Sequence, residues 1–199
     1  MIEEAFSLID RCTTELGRQF YTSTIARAAS LATAKGTVLA QGCYSLTLDG
    51  LGQESGALLR PLIEVAEFLT YLHTDDRAEH EFREDKLPSA GKIAGRINGQ
   101  LQFLRDYLNQ DASHLNFSFH SLRHIVAPGD PVVFNTHPQF HAHSFRENLK
   151  LLFTFLSFVL SAAVVCLAKT KDVSLQIEPL AIDAARFVDK GRSVFQICV

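Results

Sequence analysis

The stretch that decides the fold is Glu54–Asp76, ESGALLRPLIEVAEFLTYLHTDD. At about 100° per residue, Arg60, Glu64, Glu67 and Tyr71 fall in a helical stripe roughly 60° wide, which Gln53 and Gly56 extend backwards. Leu58, Leu62, Val65, Ala66, Leu69 and Leu72 cover the opposite side, and Ile63 and Phe68 flank the stripe. A surface helix divides into apolar and polar faces of similar width, whereas this one keeps a narrow polar seam. The pattern predicts a helix mostly surrounded by protein.

Two readings of the seam follow. Arg60 and Glu64 form an i,i+4 pair that at an exposed site contributes tenths of a kcal/mol. Alternatively the seam lines a groove or a subunit interface, where a partly desolvated arginine between two carboxylates binds a ligand. On the second reading Arg60 compensates both Glu64 and Glu67, and removing it costs on the order of 3 kcal/mol. The seam therefore supplies Arg60 and Glu64 as candidate catalytic residues and Glu67 and Tyr71 as candidate ligand-binding residues.

Outward from this stretch the chain reads as helix after helix. Ile2 to about Lys35 is expected to be one helix, with Phe6, Ile9, Leu16 and Phe20 on one face and Gly36 as its stop. A second is expected from about Val38 to His73, with Gly42, Gly50, Gly52 and Gly56 either breaking it or admitting a close neighbour, and Pro61 removing one backbone bond. DDRAEHEFREDK, Asp75–Lys86, reads as a short exposed helix, and Ala90 to about Asn109 as a further one. IVAPGDPVVFN places turn residues between two β-prone runs, so a short hairpin is expected near 123–135. A long apolar helix from about Gln139 to Lys169 and an amphipathic one from about Leu175 to Asp189 complete the set. Long helices with short connections predict an all-α fold, an antiparallel helical bundle of about five to seven helices in a single domain spanning 1–199.

Composition narrows the function classes. The chain has 199 residues, 47% of them apolar, with 15 Phe and no Trp, and a net charge of −3 that supplies no global field for nucleic acid. Cys12, Cys43, Cys166 and Cys198 are scattered without a CxxC pair, as reduced thiols in a cytoplasmic protein would be. MIEEAFSLIDRC is acidic where a secretory signal is basic, and it lacks a continuous apolar run. LLFTFLSFVLSAAVVCLA, Leu151–Ala168, is long enough for a minimal membrane span, but it carries Thr154, Ser157 and Ser161 and continues the charged SFRENLK. It is expected to be a buried bundle helix, and no membrane partner is expected.

Of eight histidines, six lie between His114 and His143. His137, His141 and His143 in HPQFHAH have a spacing that could suit a metal, against which Pro138 interrupts a helix start and no carboxylate lies in the run. No metal or cofactor is expected. Phosphate-binding glycine loops and the GxSxG elbow are absent, and the GLGQESG run lacks a preceding strand.

The LLRPLIE segment, followed some fifty residues later by LNFSFH at Leu115–His120, resembles an uncharacterised family of bacterial helical proteins with LLRxLxE and L[SN]xxxH motifs. The resemblance covers about residues 40 to 165 and implies a helical bundle. That family is similar in architecture to HEPN domains, many of which are dimeric ribonucleases of toxin and phage-defence systems. The HEPN signature is an arginine followed after four to six residues by a histidine, and this chain lacks it. On this resemblance a ribonuclease would depend on Arg60 meeting His120 in space, with the imidazole as general acid/base and the guanidinium stabilising phosphodiester charge. RNA is a partner under this alternative alone. The principal expectation is a cytoplasmic helical binding or regulatory module, forming a homodimer, with its site around Arg60.

Overall fold

The computed structural model describes residues 1–108, 126–127, 133–134, 142–170 and 177–195. The protein is all-α. Eight helices occur among the described residues: α1 Ile2–Arg18, α2 Thr24–Leu48, α3 Gly52–Thr74, α4 Ala78–Arg83, α5 Ala90–Arg96, α6 Gln102–Tyr107, α7 Ala142–Lys169 and α8 Ile177–Phe195. Val126–Ala127 (β1) and Val133–Phe134 (β2) pair antiparallel, with Val126 opposite Phe134. The rest of the expected hairpin region, 123–125, 128–132 and 135, lies outside the described residues.

The helix count exceeds the expected five to seven because local chemistry ends helices where apolar periodicity alone would continue them. The single helix expected over Ile2–Lys35 is two, since Ser23 sits in extended backbone and its Oγ accepts from the Ala26 N–H at 3.2 Å, starting α2 afresh. Gly36 is not a stop. It is buried inside α2, and a Cβ there would lie 3.0 Å from Val65 Cγ1, so its hydrogen lets α2 approach α3. The stop comes at Gly50, whose φ of 77° suits glycine, with Leu51 N–H bonded to Leu46 O at 2.8 Å and Gly50 N–H to Thr47 O at 3.2 Å. The same double bond pattern at Asn98 and Gly99, with positive φ at both, splits the expected Ala90–Asn109 helix into α5 and α6.

In α1, Ile2, Ala5, Leu8, Ile9, Cys12 and Leu16 are buried at spacings of three and four while Glu3, Glu4, Asp10, Arg11 and Arg18 face water. α3 behaves differently: no residue from Leu58 to His73 is exposed. Its principal neighbours are α2 on one side and α7 on another, with α4, α5 and α6 against the remainder. α7 in turn packs on α1, α2, α3 and α8. Buried residues of all eight described helices form one hydrophobic cluster, which includes Leu59, Leu62, Leu69, Ala78, Phe153, Phe155 and Phe187.

Phe145–Lys169 in α7 is long and apolar enough to cross a membrane, and 56% of its most apolar window is buried within the structure. Its outward stripe consists of Thr154, Ser157, Phe158, Ser161, Val164, Val165 and Ala168, half-buried or exposed, three or four residues apart or adjacent. The three hydroxyl residues thus occupy the least covered side of the helix. Thr154 and Ser157 also donate to the Lys150 and Phe153 carbonyls, each at 2.9 Å.

Candidate functional site

Partners for the α3 stripe come first from α3 itself and then from α4, α5 and α6, about one rung per helical turn. The first pair lies within α3 itself: Arg60 Nη1 donates to Glu64 Oε1 at 2.6 Å, with 25% of the Arg60 and 40% of the Glu64 side chain exposed. One turn on, Glu67 is 1% exposed and receives two bonds from Arg105 of α6, Nε donating to Oε1 at 3.1 Å and Nη2 to Oε2. This pair is buried on both sides, and the carboxylate raises the Arg105 pKa above its ordinary value.

Tyr71 comes next, fully buried as a residue, with its hydroxyl reaching out between α4 and α5. The hydroxyl donates to Glu81 Oε2 and accepts from Arg96 Nη1 at 2.6 Å, while Arg96 also donates to Glu81 Oε1 at 3.0 Å and Oε2 at 2.8 Å. The Arg96 guanidinium lies 5.7 Å from the Tyr71 ring centroid. Burial first, then the hydrogen bond to Glu81, pushes the Tyr71 phenol up to about 12. The phenol and Arg96 hold the Glu81 carboxyl below its ordinary value. A phenol so perturbed stays protonated at neutral pH and serves as a donor rather than as a base. Below it Arg77 grips Asp75 with Nε at 2.9 Å and Nη2 at 2.6 Å, holding that carboxyl down at about 2.

The stripe is therefore a ladder that docks the α4–α6 segment along α3, reinforced by Phe68 against Phe82 and by Arg27 5.7 Å above the Phe82 ring. Apolar packing supplies the area, and the polar rungs select its register, because each buried polar group must meet its own partner. Glu67 is compensated by Arg105, not by Arg60 as the stripe alone suggests. Sequence reasoning missed Arg96, Arg105 and Glu81. A signal for the two arginines was present: Arg96 lies three residues after Ile93, and Arg105 four after Leu101, so both lie beside the apolar face of their segment.

The structure thus brings Arg60 and Glu64 together and engages Glu67 and Tyr71 with residues outside the predicted set. His120, His137 and His141 lie outside the described residues. His143 lies in the first turn of α7, its side chain likewise outside the description. No group of three or more His, Cys, Asp or Glu placed to hold a metal occurs among the described residues.

Fold and ladder define an all-α protein in which a charged helical segment is salt-linked to a central helix. No family model matches the chain, and neither a curated protein nor a solved structure matches it. The resemblance carried by LLRPLIE and LNFSFH accordingly stands on those two short motifs.

Proposed function

We propose that this chain is a binding or regulatory module, a one-domain antiparallel helical bundle over residues 1–199, cytoplasmic, self-associating and off the membrane, whose ligand engages Arg60 and Glu64. The observation that carries this reading is the uneven closure of the ladder. Arg105 and Glu67 keep 9% and 1% of their side-chain surface in contact with solvent and Arg96 and Glu81 27% and 18%, whereas Arg60 and Glu64 keep 25% and 40%, so the carboxylate of the first rung is the most accessible of the three. A guanidinium and a carboxylate side by side and half-open suit a ligand that carries both an anionic group and a hydrogen-bond donor. The hydroxyls on the outward stripe of α7 support a helix within a bundle rather than one facing lipid.

The test is a thermal-shift and calorimetric screen of amino acids, carboxylates, phosphates, nucleotides and single-stranded RNA against wild type, Arg60→Met and Glu64→Gln. A ligand that stabilises wild type and loses at least about tenfold in affinity in Arg60→Met, with the free protein destabilised by less than about 1 kcal/mol, is the expected result. Equal binding of every hit by wild type and Arg60→Met would remove the site. RNA cleavage abolished by both Arg60→Met and His120→Ala would replace the module with the ribonuclease.

A further inference from the structure

From Asp76 to Lys92 the chain buries a single residue, Ala78. Its neighbours differ: no residue of α3 from Leu58 to His73 is exposed, and α5 with the turn and helix after it buries Ile93, Ile97, Leu101 and Leu104. α4 therefore lies on α2 and α3 with almost no apolar anchorage of its own. It has six residues, whereas isolated helices need about 12–15 even to be marginal in water. Its exit turn puts Asp85 at a φ of 54°, in the left-handed region that favours glycine. Extended backbone bounds the stretch on both sides, at Asp75 and at Ser89. A segment with so few buried apolar contacts opens at lower free energy than the bundle beneath it.

What holds α4 is the chemistry of two adjacent side chains. Both Glu81 oxygens accept from Arg96 Nη1, at 3.0 and 2.8 Å, and Oε2 accepts from the Tyr71 hydroxyl as well. The Phe82 ring centroid lies 6.4 Å from that of Phe68 and 5.7 Å from the Arg27 guanidinium. None of these receiving groups needs α4 to stay in place. Arg96 stands on α5 between the buried Ile93 and Ile97, and it is held against Tyr71 by a 2.6 Å bond to the hydroxyl and by the ring 5.7 Å from its guanidinium. Arg27 and Phe68 belong to α2 and α3. With α4 lifted, a guanidinium and a phenol O–H converge where a carboxylate had been, beside an aromatic ring and a second guanidinium. Glu81-Phe82 thus fills from within a seat whose charge and ring chemistry suit an acidic residue followed by an aromatic one.

We propose that α4 is an autoinhibitory lid, hinged at Asp75 and Ser89, which opens while the rest of the bundle stays folded and yields the Tyr71–Arg96 and Phe68–Arg27 pairs to an acidic–aromatic segment of a partner protein, a Glu followed by a Phe. Tyr71 lies seven residues beyond Glu64 on α3, about 10 Å at 1.5 Å per residue, so the lid is independent of the Arg60 site and of the ligand proposed there.

Amide hydrogen exchange on wild type tests the lid. The amides of Glu81, Glu84 and Lys86, which bond to the Arg77, His80 and Glu81 carbonyls, should exchange at least about 100-fold faster than those of Leu62 to Leu69 in α3. Low urea should speed the α3 amides and hardly change those of α4, since lid opening exposes little surface. The seat is tested by NMR titration with a peptide of Asp76–Lys86 as the probe. Glu81→Gln/Phe82→Ala, which unlatches α4, should bind the peptide at least about tenfold more tightly than wild type, where the tethered α4 competes. Arg96→Met added to that variant should abolish binding, and the peptide carrying Glu81→Gln should bind at least about tenfold more weakly. α4 amides as protected as those of α3 overturn the lid. A peptide that binds neither wild type nor the unlatched protein, or that binds equally with and without Arg96, overturns the seat. Either failure leaves the Arg60–Glu64 site to its own screen.

Discussion

Arg105→Met isolates the rung on which the docking of α4–α6 depends most. It removes the guanidinium and keeps an unbranched apolar stem of similar reach, so packing against α3 changes little. What remains is the Glu67 carboxylate, 1% exposed, with both of its arginine bonds gone. An uncompensated buried charge of this kind costs about 3–5 kcal/mol, a large fraction of the 5–15 kcal/mol that holds a domain folded. Glu67→Met/Arg105→Met removes both charges and should recover all but about 1 kcal/mol, since an apolar pair of similar volume replaces a buried ion pair at little net cost. The chain has no Trp and four Tyr, so far-UV circular dichroism during urea unfolding is the suitable probe. With m near 2 kcal/mol/M, the single variant should move the midpoint down by about 1.5–2.5 M at unchanged m. Arg60→Met, whose pair is exposed by 25% and 40%, should lose less than about 1 kcal/mol. Refutation would take one of two forms: an Arg105→Met loss as small as that of Arg60→Met, or a double variant no more stable than the single.

Two further outcomes are expected. A Cβ on Gly191 would lie 1.7 Å from Cζ of Phe153, a ring held against Phe187, so Gly191→Ala should cost about 1–3 kcal/mol or more by overpacking, whereas Gly17→Ala, with nothing within 4 Å, should gain up to about 1 kcal/mol; equal midpoints for the two would contradict the packing described. Burial pushes the Cys12 and Cys166 thiols and the Tyr71 phenol up to about 12 and raises the Cys43 thiol. The unfolded chain therefore releases these protons first, from about pH 8.5 for thiols and about 10 for phenols, and stability should fall as pH rises from about 9 to 12. Urea midpoints that stay level to pH 11, or rapid labelling of a native Cys198→Ser protein by a thiol reagent at pH 8, would show that these groups are not shielded as described.

Several features were legible without a structure because they depend on neighbours in sequence. Leu62, Val65, Ala66, Leu69 and Leu72 are buried as the apolar side of Glu54–Asp76 requires, and a helix with so narrow a polar seam has to be wrapped by others. Two helix ends, at Ser23 and at Asn98-Gly99, were passed over by the apolar periodicity although their residue types signal them. Ser23 and Asn98-Gly99 carry capping and turn chemistry in their own residue types, while Gly36 shows the limit of such signals, since a glycine that ends a helix and one that admits Val65 of α3 look alike until the neighbour is in place. The partners of the seam belonged wholly to the tertiary structure. Arg60 and Glu64 are four residues apart, so helical geometry alone predicts their contact. Glu67 and Arg105 are 38 residues apart, and Tyr71 and Arg96 are 25. Which of several arginines in the α4–α6 segment turns inward depends on how that segment lies along α3, which is set by the sum of many apolar contacts and turns rather than by any local pattern. The polar seam was thus determined by the sequence, and only the docking of α4–α6 decided which of its ion pairs is buried against another helix, as at Glu67, and which keeps side-chain surface in solvent, as at Glu64.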